Sequence, residues 1–366
     1  MVKNTTKEAW DEYRKNELIK ALPIIEELGF NIDQEQVHID GERHLMSGFK
    51  LVLTGYQENN KKRVIIKLSS HPDGIKEIEH EHKTRKTILN IDFSYRSFFL
   101  PKEILFTKSG NYTISVTSYV EQEKSFLVHD LKNQFFLALR ALETQEGTHI
   151  TTYYHKKSIQ EAFGIINATD YINSFEKFKE TSLKNYPKNQ ELKNIFNKAS
   201  KFLSSNKKTI EKYCDFLTHS DFCPHNIRVK DHEMYLLDHT SIYFGNKYES
   251  WARFINYMVI YNPDLEQALM IYIKQNRDEE EYLSLQLMRA YKIGFLLKYY
   301  TDSLSKTTGD LNLLTKERII FWIKVLENIL NNKQPPKELI KKYKLSRDSL
   351  RSKEEKRRQK KLQQIQ

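Results

Sequence analysis

The chain has 366 residues, 39% hydrophobic and 12% aromatic, a composition that builds one large folded domain or two ordinary ones and excludes a disordered chain. No apolar run approaches the roughly 20 residues that span a bilayer, the N-terminal MVKNTTKEAWDEYRKNE has no apolar leader core, and two cysteines make no disulfide framework, so a cytoplasmic, reducing location is expected. The net charge of +11 points to nucleic acid only until it is located: residues 337–366 carry +8, and the remaining 336 residues carry +3.

Taken in chain order, residues 7–28 are apolar at Leu18, Ile19, Leu22, Ile25 and Leu28, which predicts a helix ended by Gly29 and kinked or split at Pro23. Residues 36–70 turn to short β-rich runs at 37–39, 49–56 and 63–69, with turns at Asp40-Gly41 and 57–62. A charged helix follows over residues 73–89. Two further strands, 102–108 and 111–120, flank the hairpin turn Ser109-Gly110-Asn111. Beyond residue 121 the texture is helical, at 135–145 and again at 172–202. A β-rich island over residues 217–244 interrupts it, and residues 251–330 read as amphipathic helices rich in Tyr, Leu and Ile. This order gives an α+β protein. Its expected parts are an N-terminal helix (1–34), a small lobe (35–120), a larger helical lobe (121–336) entered through residues 121–125, and a basic helical tail (337–366).

The island carries the most specific chemistry: His219-x-Asp221-x-x-x-x-Asn226, then a strand-like run ending at Asp238. Phosphoryl transfer needs a carboxylate to orient the attacking hydroxyl, oxygen ligands for magnesium, and a cation on the phosphates. Asp221 and Asn226 share one tight loop, and Asp238 ends the following strand, so the three side chains can converge. Read as continuous text, residues 216–252 (FLTHSDFCPHNIRVKDHEMYLLDHTSIYFGNKYESWA) resemble the aminoglycoside phosphotransferase and choline kinase superfamily, whose loop reads H-G-D-x-x-x-x-N before a strand and an Asp. The resemblance implies a two-lobed protein-kinase-like fold, with a small antiparallel β lobe and a mostly helical lobe holding a catalytic hairpin. It implies Asp221 as catalytic carboxylate, Asn226 and Asp238 as magnesium ligands, ATP as donor, and a hydroxylated small molecule as acceptor. His219 would brace the loop through its backbone.

A kinase also needs a cation, and Lys67 near the end of the β-branched run RVIIK can reach a phosphate from a rigid strand. Its expected carboxylate partner is Glu79 or Glu81, with Glu81 favoured by its distance to Ile88-Leu89. The adenine is expected against the hinge from Ser118 to Val120, under a covering loop at 41–48. The sequence departs from the family at Ser220, where Gly is usual, at His239, and at Ser250, where a structural Asp is usual and Glu249 stands beside it.

Competing readings concern the same residues. Cys214, His219, Cys223 and His225 have spacings that do not match paired zinc knuckles. His80 and His82, two apart on a helix, are expected to be solvated. Most tyrosines of residues 257–300 should be packing, with Trp251 and Arg253 candidates for the acceptor pocket. The tail is expected as a solvated charged helix or as a contact for an anionic partner. The alternative function is a catalytically silent kinase-like module that binds nucleotide or a partner. A protein kinase is disfavoured because no A-P-E segment follows Asp238.

Overall fold

The computed structural model describes residues 7–36, 49–91, 99–122, 124–147, 157, 161–230, 233–353 and 355–357. Helix α1 (Lys7–Glu27) contains Pro23 and runs on through it, so the expected split does not occur. Proline costs the helix one amide donor, and packing of Ala21 and Ile25 into the sheet's core holds the two sides in line. Gly29 then takes φ +80°, the left-handed conformation that stops the helix. The chain enters β1 (Phe30–Ile32) directly, inside the stretch read as helical N-terminus. The run at 37–39 and the covering loop at 41–48 lie outside the described residues.

The sheet adds β2 (Leu51–Gln57), β3 (Arg63–Ser69), β4 (Glu103–Ser109) and β5 (Tyr112–Ser118) in the order β1-β2-β3-β5-β4, every neighbour antiparallel. Gly55 lets β1 close on β2, because a Cβ there would lie 2.2 Å from the Asn31 carbonyl oxygen. In β3 the period-2 alternation buries Val64, Ile66 and Leu68 in the core and turns Lys67 to the other face. Helix α2 (Pro72–Asn90) packs on β3 and β5.

The rest is mostly helical: α3 (Leu131–Glu146), α4 (Ala168–Asn185), α5 (Gln190–Ser205) and α6 (Lys207–Lys212) precede the island, and α7 (Tyr248–Tyr261), α8 (Pro263–Asn276), α9 (Glu279–Ser303), α10 (Gly309–Leu330) and α11 (Lys337–Leu350) follow it. The island forms two small antiparallel ladders, β6 (Phe216–His219) with β9 (Ile242–Gly245) and β7 (Ile227–Lys230) with β8 (Glu233–Leu236). Buried α9 packs on α4, α7 and α10. The fold is therefore α+β, a five-stranded antiparallel sheet followed by a mostly helical part. Among the described residues no helix is long and apolar enough to cross a membrane.

The tail differs from a solvated extension. Ile340 and Tyr343, three apart in α11, are buried against the body, where α11 meets α10 and α7, and Tyr343 stacks on Phe321 at 4.2 Å.

Candidate active site

The loop between β6 and β7 is built around His219. The Asp221 N–H points to its Nδ1 at 3.2 Å, and its Nε2 lies 3.1 Å from the carbonyl oxygens of both Leu237 and Asp238. An imidazole that accepts at Nδ1 must donate at Nε2 to those carbonyls, so the ring is the neutral Nε2–H tautomer. Burial, the largest influence, lowers its pKa in agreement. One ring thus ties the backbone of Asp221 to that of Asp238. The Leu237 N–H donates to the Asn226 carbonyl at 2.8 Å, closing the same loop.

Asp221 Oδ1 accepts from Arg253 Nε at 2.8 Å and lies 2.7 Å from its terminal nitrogen, while Oδ2 accepts from Asn226 Nδ2 at 3.1 Å and stands 3.5 Å from His225 Nε2. Desolvation pushes its pKa up, but Arg253, then His225, hold the carboxylate well below its usual range. Asn226 Nδ2 also donates to the Asp221 carbonyl at 2.8 Å, which leaves the amide oxygen at the other corner of the planar group as a ligand.

Asp238 sits at φ 55°, a left-handed conformation that a non-glycine residue adopts at a cost of about 1–2 kcal/mol. Thr240 Oγ1 donates to its Oδ1 at 2.6 Å and Ser241 Oγ to its Oδ2 at 3.3 Å, which hold the turned carboxylate. Burial raises its pKa, but Lys50, then Lys67, and the Thr240 hydrogen bond bring it below the usual value. The oxygens of Asp238 and Asn226 are the donor set a hard divalent ion prefers. The soft alternative, buried Cys223, has its thiol pushed well above the usual pKa by burial.

Lys67 Nζ meets Glu81 Oε1 at 2.5 Å across the face where α2 lies, whereas Glu79 reaches out to Lys108 at 2.7 Å. Glu81 is buried, and desolvation pushes its pKa up, yet Lys67, then His239 and Lys50, keep it well below the usual range. His239 Nε2 lies 2.9 Å from the Leu236 carbonyl oxygen, with Nδ1 3.5 Å from Glu81 Oε1 and 3.4 Å from Arg85. The residue after Asp238 therefore contacts the carboxylate that positions Lys67.

The structure brings together Lys67 with Glu81, and Asp221 with Asn226, as the sequence reading expects of them, and adds a second cation. Lys50 pairs with Glu77 at 3.4 Å, and although burial alone would lower its pKa, Glu81, Asp238 and Glu77 together raise it. No motif marks Lys50; only tertiary packing brings it there. At the hinge, the Ser118 N–H is committed to the Lys102 carbonyl at 2.8 Å and its hydroxyl accepts from the Lys102 N–H at 2.9 Å. Among the described residues no hydrogen bond engages the backbone of Val120.

The departures have physical replacements. Ser250 Oγ accepts from the His219 N–H at 2.9 Å and lies 2.9 Å from Thr218 Oγ1, so a hydroxyl braces the loop where an Asp is usual. Glu249 turns inward instead, completely buried, paired with Lys292 at 3.0 Å and accepting from the Tyr171 hydroxyl at 2.6 Å. One expectation is corrected. His82 is not solvated but stacks on Phe106 at 3.8 Å and contacts Glu103 at 2.7 Å. Cys214 bonds the Ile210 carbonyl, and the described residues group only Asp221, Cys223 and His225 within 4.8 Å of one another, so the four-residue zinc set does not assemble.

No family model and no curated protein matches the sequence. Solved structures do match the fold. The aminoglycoside phosphotransferase APH(4)-Ia aligns with a TM-score of 0.55 at 12% identity, over 88% of this chain and 100% of that one. APH(2'')-Ib, crystallised with ADP, aligns at 0.55 and 11% identity over 87% and 98%. The macrolide 2'-phosphotransferase MphH from Brachybacterium faecium aligns at 0.52 and 11% identity over 82% and 97%. A thermostable APH(4)-Ia mutant was crystallised as a ternary complex with ADP and hygromycin B. The chain thus has the kinase-like fold of the aminoglycoside and macrolide phosphotransferases across most of its length.

Proposed function

We propose that the protein transfers the γ-phosphate of ATP to a hydroxyl of a small molecule. The observation that carries the reading is the joint placement of Asp221, Asn226 and Asp238 around one His219-braced loop, with the Lys67–Glu81 pair opposite. A magnesium ion held by Asn226 and Asp238 would neutralise charge on the transferring phosphates. Lys67, with Lys50 beside it, draws the phosphates into the cleft, and Glu81 fixes the Lys67 head. Asp221 accepts a hydrogen bond from the acceptor hydroxyl and aims its oxygen at the γ-phosphorus. The new bond joins that oxygen to phosphorus, the bond from phosphorus to the β–γ bridging oxygen breaks, and ADP leaves. The hydroxyl proton passes to Asp221 late, since a carboxylate held so acidic is a weak base. Such a site works by position and charge rather than by basicity.

The test is magnesium-dependent ADP formation by the full chain across a panel of hydroxylated acceptors, with Asp238→Ala as control. The variant is expected to lose turnover by at least about a hundredfold; full turnover in Asp238→Ala contradicts the assignment. Nucleotide binding without turnover on any acceptor would favour the silent-module reading instead.

A further inference from the structure

Guanidinium groups and phenols cluster on α7, α9 and α10, the first of which carries the Arg253 that holds Asp221. Arg253 holds Asp221 and lies 5.8 Å from the Tyr257 ring centre; Tyr257 stacks on Tyr261 at 4.1 Å and stands 6.0 Å from His225. On the next helices Tyr299 meets Tyr300 edge-on at 5.5 Å, and Arg318 lies 5.4 Å from the Tyr300 ring centre. Arg318 is only 6% exposed, and among the described residues no carboxylate lies within ion-pair distance of it. Its neighbours are the Tyr300 ring and the Tyr343 hydroxyl, the latter delivered by α11.

A guanidinium removed from water without a counter-charge is costly, and it is retained where an anion completes the site. Tyr299, 36% exposed, stands on α9, which packs on both α7, the helix of Arg253, and α10, the helix of Arg318. Burial of its hydroxyl end and the neighbouring Tyr300 raise its pKa, Arg318 lowers it, Asp221 raises it and Arg253 lowers it, so one phenol is within electrostatic reach of all three. Among the described residues, Asp221 is paired with Arg253, and Asp348 on α11 with Arg347 at 2.8 Å.

We propose that the acceptor is an anionic hydroxyl compound, carrying a phosphate or carboxylate that Arg318 binds with Tyr300 and Tyr343 while its hydroxyl meets Asp221. The proposal rests on the phosphotransfer reading and names its substrate class. It excludes polycationic acceptors, which need carboxylates where this site has guanidinium groups. Arg318 is a specificity residue, since it binds the remote anion and does not touch the reacting atoms.

The experiment measures magnesium-dependent ADP formation with a matched set: glucose and sorbitol; glucose 6-phosphate, glycerol 3-phosphate and gluconate; glucosamine, choline and kanamycin. At least one anionic compound is expected to exceed its neutral counterpart by about tenfold or more in kcat/KM, and the phosphate and carboxylate arms identify which anion is read. Arg318→Gln is expected to raise that compound's KM by about tenfold to a hundredfold, the range of a lost charged hydrogen bond, while kcat changes less than about threefold. Arg318→Lys, which keeps the charge, recovers part of the loss and serves if the glutamine variant does not fold. A thermal-shift series with AMP-PNP and magnesium separates the two claims: glucose 6-phosphate or gluconate raises Tm in the wild type and not in Arg318→Gln. That shift without turnover on any acceptor would tell against phosphotransfer and leave the anion site standing. Better turnover of kanamycin or choline than of every anionic compound overturns the proposal, as does an Arg318→Gln variant with unchanged KM, or no anion-dependent shift in the wild type.

Discussion

Asp221→Asn tests the catalytic assignment with the least disturbance of shape. In the wild type one carboxylate oxygen serves Arg253 at 2.7 and 2.8 Å, and the other serves Asn226 at 3.1 Å and faces His225 at 3.5 Å. An amide can satisfy one side only, because its NH2 must face either a guanidinium or the Asn226 amide nitrogen. The acceptor hydroxyl then loses its charged partner. General-base groups contribute about 10²–10⁴-fold, and a carboxylate held this acidic belongs at the low end, so kcat is expected to fall about 10²–10³-fold, or about 2.7–4 kcal/mol of barrier. The ATP KM should move less than about threefold, since Lys67, Lys50, Asn226 and Asp238 remain. Stability should fall by no more than about 1 kcal/mol, because the Asp221 side chain is 37% exposed and water screens the loss. Steady-state kinetics on the acceptor found by the panel, with thermal denaturation alongside, measures all three. A kcat within threefold of wild type would refute the orienting role, and a loss confined to the ATP KM would move Asp221 to the nucleotide side.

Three further outcomes follow from the same geometry. Asp221, Asp238 and Glu81 all titrate below their usual values, so each contributes stability that is complete above its unfolded pKa of about 4 and disappears as pH falls through the lower folded pKa; kcat/KM is therefore expected to show no carboxylate limb above about pH 5, and a limb that Asp221→Asn removes at pH 6 would contradict the low pKa. Ser250→Ala leaves the buried His219 N–H without its acceptor, which should cost about 1–3 kcal/mol in urea denaturation and lower kcat more than the ATP KM; an unchanged midpoint would show the hydroxyl to be dispensable. Lys292→Met strands the completely buried Glu249, for a loss of about 3–5 kcal/mol that Glu249→Gln in the same chain should partly restore; equal stabilities of the single and double variants would deny the pair.

What the sequence made legible is what lies close in sequence. Asp221 and Asn226 are read together because a five-residue loop brings them together, and Lys67 is read because period 2 in a β-branched strand fixes its face. Glu81 is reachable by counting along one helix. The parts that escaped are long-range. Arg253 joins Asp221 across 32 residues, and His239 joins Glu81 only because α2 packs over the turn after β8. Lys50 has no motif at all. The tail shows how composition misleads: its charge reads as solvated, yet Ile340 and Tyr343 repeat at helical spacing and are buried. Pro23 misled as a break, since α1 runs on through it with Ala21 and Ile25 packed into the sheet's core.

On the proposed reading, the nucleotide and the acceptor would meet surfaces built from different parts of the chain. On the nucleotide side, buried Glu81 is contacted by Lys67 from the sheet, by Arg85 from its own helix at 3.7 Å, and by His239 from the turn after Asp238. Separating the sheet from the helical part would strip a buried carboxylate of a partner, at a cost of several kcal/mol, so Lys67 and the turn that carries Asp238 hold their relative places through one side chain. On the acceptor side Arg253, Tyr257, Tyr300, Arg318 and Tyr343 all come from α7, α9, α10 and α11, which pack on one another within the helical part. On the proposed reading, acceptor choice would be set by preformed charge, and catalysis by whether the Glu81 contacts bring the nucleotide's side of the cleft to meet it.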